Sequence, residues 1–522
     1  MHVIIPMAGH SRRFQAAGFA GPKAMLPCGG KRMIEHVIDM FDTNNDHFHI
    51  ILNEEQNRDN PDLITWLETL ASRVSPLIIT SHEIGPVYSA MQIEGIPRDA
   101  EVLISYCDFY VDWSYQRFLR QVHGYDGAIV SFRGFQPASF GNTYYAYMQV
   151  KGDLLVELRE KQSFTDERTS EHASAGIYYF REWSLFQKYA NNLLAQTKRD
   201  LSEAYASLVY NDMVADGLTI GIYEVRRFIC LGTPEDYEQY LFWWQFFVGS
   251  QEKVNDTGRG VPRVALVPMA GRGSRFVKFG YRVVKPLILV NGVPMVMRAT
   301  GALPPVDDWI FLLRADDLSR HPIENTLGML KGGVKVIGVD QETSGQAATC
   351  LLSEDLIPDD AELIIASCDY ELRFSAKAWL DTINDSDVDG VIWTYRFKGL
   401  PVKDPNAFAY CLVADDGITV RRVVEKQAIS QNPHLDPLVV GTFWFRRAAD
   451  FKKAAHNLIK KDIRVNGEHY VGTSINHLLE NGYKFVIFDV QQWISFGDPF
   501  ELQIMEFWQD HFTGNGRLSQ LA

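Results

Sequence analysis

A chain of 522 residues is long enough for two or three domains with cores of their own. Its 46% apolar and 22% charged residues are those of an ordinary globular protein. The formal net charge of -14 argues against nucleic acid as a partner, but not against a phosphorylated small molecule that needs only a few local cations. In chain order, the first expected element is a buried strand, Val3–Ile5, followed by the loop "PMAGHSRRFQAAGFAGPK", which carries three cations and no acid. A helix over 33–41, a strand over 49–52, a helix over 61–73 and a strand over 77–79 follow. This alternation predicts a mostly parallel sheet with helices on both faces. In such sheets ligands sit beyond the carboxyl ends of the strands, where the opening loop lies.

The loop returns 262 positions later as "PMAGRGSRFVKFGYRVVK", and over residues 6–33 ten of 28 positions are identical. Average composition would give roughly one or two. Further segments recur in the same order. "EIGPVYSAMQI" is echoed by "TSGQAATCLLS", "LISYCDFY" by "IIASCDYE", "LREKQSF" by "VVEKQAI" and "FICLGTPEDYEQY" by "WISFGDPFELQI". The organisation this predicts is a first domain over 1–250, a polar linker over 251–263 and a second copy of the domain over 264–522.

The apolar run Tyr240–Gly249 is about half of a bilayer span and reads as a docked helix. Six cysteines without zinc-type spacing read as thiols. With no signal-peptide layout at the N-terminus, the expected location is the cytoplasm.

Gly9 and Gly271 would let the backbone approach a ligand closely, Arg13 and Arg275 offer planar forks for a phosphoryl group, and Lys23 and Lys285 add a point charge. A tripolyphosphate would use all three elements. The loop is neither a GxxxxGK[ST] phosphate loop nor a GxGxxG dinucleotide fingerprint. As "GHSRRF…GPKAMLPCGGKRMIEHVI" and "GRGSRF…VVKPLILVNGVPMVM", the two copies resemble the sugar-phosphate nucleotidylyltransferases, which make NDP-sugars from an NTP and a sugar 1-phosphate.

That resemblance implies an α/β fold of two tandem Rossmann-like (GT-A-like) nucleotidyltransferase domains with mostly parallel sheets. It implies that Arg13, Lys23, Arg275 and Lys285 grip the triphosphate and carry catalysis. Nucleotide would lie against Ala8, Gly9 and Gly85 in the first copy and Ala270, Gly271, Gly345 and Gln346 in the second. Asp108 and Asp369 would hold Mg²⁺ (or Mn²⁺), and Glu160, Lys161, Glu425 and Lys426 would meet the acceptor.

The family's second metal aspartate is absent, because Cys230 and Ser495 stand at its positions; Glu224 and Asp489, six residues earlier, are acidic candidates to compensate. The expected activity is transfer of NMP from an NTP to a phosphorylated acceptor, with release of pyrophosphate, for surface polysaccharide or capsule precursors. Two alternatives stand beside it. One is a GT-A glycosyltransferase using an NDP-sugar, a reading shared with capsule-locus proteins of similar sequence. The other is a chain with one catalytic copy and one regulatory or structural copy. Expected partners are the NTP and acceptor, with no nucleic acid and no membrane span; the oligomeric state is left open.

Overall fold

A computed structural model describes residues 1–142, 144–200, 203–249, 252, 260–397 and 404–514. The chain divides into two compact units, 1–242 and 243–522. Of the expected linker, residues 251 and 253–259 lie outside the described residues.

In the first unit the strand His2–Pro6 forms around Val3, Ile4 and Ile5, all fully buried. Its β-branched and apolar side chains suit a strand covered on both faces. The sheet runs in the order Val74–Ile79, His47–Asn53, His2–Pro6, Val102–Ser105, His172–Phe180, Gly127–Phe132, Ile220–Glu224, Leu154–Glu160, Ala146–Lys151. The first four strands are parallel, as are Gly127–Phe132 and Ile220–Glu224. His172–Phe180 runs antiparallel to both of its long neighbours. Helix Trp183–Asp200 lays Trp183, Phe186, Tyr189, Ala190 and Leu193 on the core beneath, a spacing of three and four that puts them on one face.

The second unit repeats this order strand for strand: Gly333–Val339, Asp308–Arg314, Arg263–Pro268, Glu362–Ile365, Leu438–Phe445, Gly390–Tyr395, Phe485–Asp489. Ala409–Val413 pairs with Val420–Glu425 and Leu438–Phe445. A small antiparallel pair beside each main sheet is also repeated, as Phe109–Asp112 with Arg227–Cys230 and as Tyr370–Arg373 with Gln492–Ser495. The two units thus share one α/β topology: a parallel core, one antiparallel strand inserted within it, and an antiparallel hairpin beyond.

Local details differ from the pattern read off the sequence. The expected helix over 61–73 is only Leu63–Leu67, and an additional helix, Glu54–Asp59, precedes it. The cause is a capping box: Asn53 accepts from the Gln56 amide while Gln56 accepts from the Asn53 amide. The helix expected over 33–41 ends at Ile38. The strand expected over 77–79 begins at Val74, and that over 49–52 extends to His47–Asn53.

Candidate active site

The site of the first unit gathers where Pro6, Asn53 and Ser105 end their parallel strands. The loop after Pro6 is tied down from below. Asn53 Nδ2 donates to the Ala8 carbonyl (2.8 Å), and Gln56 Nε2 donates to the carbonyls of Met7 (2.8 Å) and Gly9 (3.2 Å). One capping box therefore both starts a helix and fixes the loop. A side chain at Gly9 or at Gly271 would meet no atom within 4 Å. Neither position takes a left-handed backbone, so packing does not demand glycine there. Access to the backbone is the remaining reason for it.

The next special position favours it. Ser11 (φ 53°) and Gly273 (φ 58°) begin the short helices Arg12–Ala16 and Ser274–Lys278 in the same left-handed conformation. Ser11 compensates for the strain by accepting the Lys23 amide at 3.0 Å.

Lys23 and Asp108, 85 residues apart, meet at 2.5 Å, and Lys285 and Asp369 meet at 2.6 Å. The structure thus brings the expected phosphate lysine onto the expected metal aspartate twice. Burial works against the charge of Lys23, yet the Asp108 carboxylate outweighs it and raises the lysine above its ordinary pKa. Lys285 is raised in the same way by Asp369. Burial would raise the Asp369 carboxyl, but Lys285 outweighs it and holds it below the usual carboxylate range.

Gly9, Lys23, Gly85 and Asp108 line one cleft of about 250 Å³ together with His82 and Tyr205. Arg13 and Arg275 are exposed on their short helices; Arg275 lies 3.9 Å from Asp498. Neighbouring Arg12 pairs with Glu83, and Arg272 pairs with Glu342 at 2.9 Å, so an arginine of each loop reaches the segment before Gly85 or Gly345.

Gly85 and Gly345 answer to packing. A Cβ at Gly85 would stand 2.7 Å from the Ala204 nitrogen, and one at Gly345 would stand 2.4 Å from that of His469. Both also have positive φ, 116° and 132°. Gln346 opens the helix Gln346–Leu351 behind that glycine, and Ala8 and Ala270 precede the open glycines of the loops.

Lys161 (φ 57°) and Lys426 (φ 54°) are left-handed non-glycine residues at equivalent positions. Strain of this kind persists only where surrounding structure enforces it, and it gathers at functional sites. Lys161 Nζ donates to Tyr205 Oη at 2.5 Å, and Tyr205 lines the cleft. Lys426 Nζ donates instead to the Ala407 carbonyl at 2.5 Å. Glu160 accepts from Ser207 Oγ at 2.5 Å, while Gly472 stands against Glu425 in the second unit. Burial raises Glu160, which the Ser207 hydroxyl opposes; burial pushes Glu425 up to about 7.

Glu224 and Asp489 are taken by Arg133 and Arg396, each at 2.9 Å. The acidic groups that do reach this corner are Asp236 and Glu501. The Cys230 thiol donates to Asp236 at 3.3 Å, and the Ser495 hydroxyl donates to Glu501 at 2.6 Å. Burial raises both carboxyls, Asp236 to about 6, and the charge of Asp108 or Asp369 adds to the rise. The reading from sequence missed them, although each stands two residues after the proline that opens the last helix of its copy, Pro234 or Pro499.

These oxygen donors suit a hard divalent cation shared with phosphate oxygens; the thiol at 230 does not, and the hydroxyl at 495 is taken up by Glu501. All six cysteines are free and buried.

Fold and site together define an α/β domain of one topology, present twice, with a loop, a lysine and an aspartate gathered at the carboxyl ends of the strands in each copy. Residues 3–173 match the family described as the MobA-like NTP transferase domain, which bears out the enzyme class that the sequence motifs resemble. Similar solved structures include a nucleoside-diphosphate-sugar pyrophosphorylase from Vibrio cholerae RC9 (19% identity, 46% of this chain and 99% of that one, TM-score 0.39). They also include the inositol-1-phosphate CTP transferase from T. maritima (16%, 48% and 98%, TM-score 0.37). A third is a UTP-bound UGPase from Acinetobacter baumannii (16%, 48% and 95%, TM-score 0.38). No curated protein sequence matches the chain.

Proposed function

We propose that both units transfer a nucleotidyl group from an NTP to a phosphorylated acceptor, a sugar 1-phosphate or a similar metabolite, in the supply of precursors for surface polysaccharide or capsule. The observation that carries this reading is the repeated lysine–aspartate contact beside an unhindered glycine loop. An acceptor phosphate oxygen attacks the α-phosphorus and forms the new P–O bond. The bond from that phosphorus to the α–β bridging oxygen breaks, and pyrophosphate leaves with the electron pair. Such chemistry depends on positioning and charge neutralisation.

Loop residues Ala8 and Gly9, with Ala270 and Gly271 in the other copy, receive the phosphates. Arg13 with Lys23, and Arg275 with Lys285, neutralise the charge that develops on the leaving group. Gly85, Gly345 and Gln346 border the base, while Glu160–Lys161 and Glu425–Lys426 face the acceptor. Asp108 and Asp369 would hold a divalent cation, Mg²⁺ or Mn²⁺, which when bound supplies further neutralisation of the triphosphate. Asp236 and Glu501 back them through Cys230 and Ser495. We place the protein in the cytoplasm; among the described residues no helix is long and apolar enough to cross a membrane.

The glycosyltransferase alternative would use a D-x-D metal motif, with its second carboxylate two residues after the first. That position holds Tyr110 in the first copy and Glu371 in the second, and Glu371 is committed to Arg298 at 2.5 Å, which disfavours it. The deciding experiment measures pyrophosphate release with each NTP against a panel of phosphorylated acceptors. Turnover of an NDP-sugar, with no pyrophosphate from any NTP and acceptor pair, would overturn the proposal.

A further inference from the structure

At the amino ends of the same strands, away from the cleft, three imidazoles converge. His2 and His47 are register partners on adjacent parallel strands, and Ile4 is the partner of His49, so all three histidines project from one face of the sheet. Their ring centroids are 5.3, 5.2 and 4.3 Å apart. His2 Nδ1 and His49 Nε2 lie 2.9 Å apart, and one nitrogen from each of the three rings falls within 4.8 Å of the others. The strand from His2 to Pro6 spans about 13 Å, which separates this cluster from the phosphate loop.

We propose that His2, His47 and His49 form a transition-metal site, for which Zn²⁺ is the best-suited ion, at the amino ends of the strands, the end opposite the candidate active site. The donor set is three neutral nitrogens, which suits Zn²⁺ and its neighbours and not Mg²⁺. Tetrahedral zinc with Zn–N near 2.0–2.1 Å places ligand nitrogens about 3.3 Å apart, so the His2–His49 pair at 2.9 Å opens by a few tenths of an ångström, and nitrogens farther apart within the 4.8 Å cluster close in on the ion. Ser75 Oγ lies 2.7 Å from His47 Nε2 and orients that ring, as outer groups do for ligand histidines. His49 is buried, whereas His2 and His47 are half-buried, so the cluster is reached from solvent on the side of those two rings.

The fold does not require these residues. The equivalent positions in the second unit are Val264, Asp308 and Ile310, in the same register. Burial holds His2 at about 4 and His49 at about 3, and lowers His47, so all three rings are neutral and ready to ligate at pH 7. Two cations act against a bound metal, Arg73 and the N-terminal ammonium. The ammonium is 3.6 Å from Asp46, which offsets it.

The test uses the full chain after chelation and dialysis. One equivalent of Zn²⁺ should bind by calorimetry and elemental analysis, and Co²⁺ in its place should give the visible bands of a tetrahedral nitrogen site. Ser75→Ala should weaken Zn²⁺ by about 10- to 100-fold, the range seen for outer-shell groups, and His2→Gln by more. Asp108→Asn should leave the Zn²⁺ stoichiometry unchanged, which separates this site from the catalytic one. Should His49→Gln fail to fold, half-buried His2→Gln carries the test, with circular dichroism as its control. Absence of Zn²⁺ binding by the wild type, or equal affinity in a folded His2→Gln variant, would overturn the proposal.

Discussion

Ser11 and Gly273 pose one backbone requirement and answer it differently. A left-handed serine costs roughly 1–2 kcal/mol, and the Ser11–Lys23 hydrogen bond returns about 1 kcal/mol. Ser11→Gly should therefore change stability little. Gly273→Ser should lower it clearly, because its Cβ would stand 3.2 Å from the Lys285 Cβ. Denaturant melts of the two variants check the contrast.

Glu425 supplies a pH test. Its folded pKa is raised by burial to about 7, so the folded state holds its proton more tightly than the unfolded chain does. That contribution is present below about pH 4.5 and is lost as pH rises through 7. Glu425→Gln should match the wild type at pH 4 and be more stable at pH 8, as read from melting midpoints. The residue types at these places were legible in the sequence, but the contacts were not. Nothing local to Lys23 announces Asp108, and nothing near Glu425 announces its burial.

At the level of elements, legibility followed the strength of the local signal. The buried run Val3–Ile5 and the aromatic helix around Tyr240 were plain, since each is apolar enough to have only one place to go. The helix Glu54–Asp59 was missed because its polar sequence lacks apolar periodicity; its signal was the Asn53–Gln56 capping box. The antiparallel strand His172–Phe180 was not legible either, since strand direction depends on connections and not on composition. Loss of a cap costs about 1 kcal/mol, and Asn53 also holds a loop carbonyl. Asn53→Ala should thus cost about 1–2 kcal/mol in stability and weaken NTP binding as well, whereas removal of a surface cap elsewhere should affect stability alone. Paired denaturation and calorimetry distinguish the two.

For the whole molecule, segments recurring in the same order at offsets of about 260 to 265 residues foretold the shared strand order, because insertions of a few residues fall in loops and do not rearrange a sheet. Each unit carries its own loop, lysine and aspartate, so the proposed sites are separate. Arg13→Ala and Arg275→Ala should each leave about half the activity, or remove one of two products, and the double variant should be nearly inactive, each site falling roughly 10²- to 10³-fold. One variant losing everything, the other nothing, with the silent copy binding no nucleotide by calorimetry, would mean one working copy and one scaffold.

The lysine–aspartate pair has a thermodynamic corollary. In each unit the ion pair stands, on the proposed function, where both ligands would go: the carboxylate in place of phosphate on the lysine, and the ammonium in place of a cation on the carboxylate. An arriving triphosphate that draws the ammonium to itself leaves the carboxylate without a counter-charge. A divalent cation that draws the carboxylate leaves the ammonium in need of an anion. Nucleotide and cation are then linked ligands, and whatever factor one adds to the affinity of the other is returned in equal measure. A simple anion such as sulfate, arriving with no metal of its own, would break the pair without replacing both halves and should compete poorly.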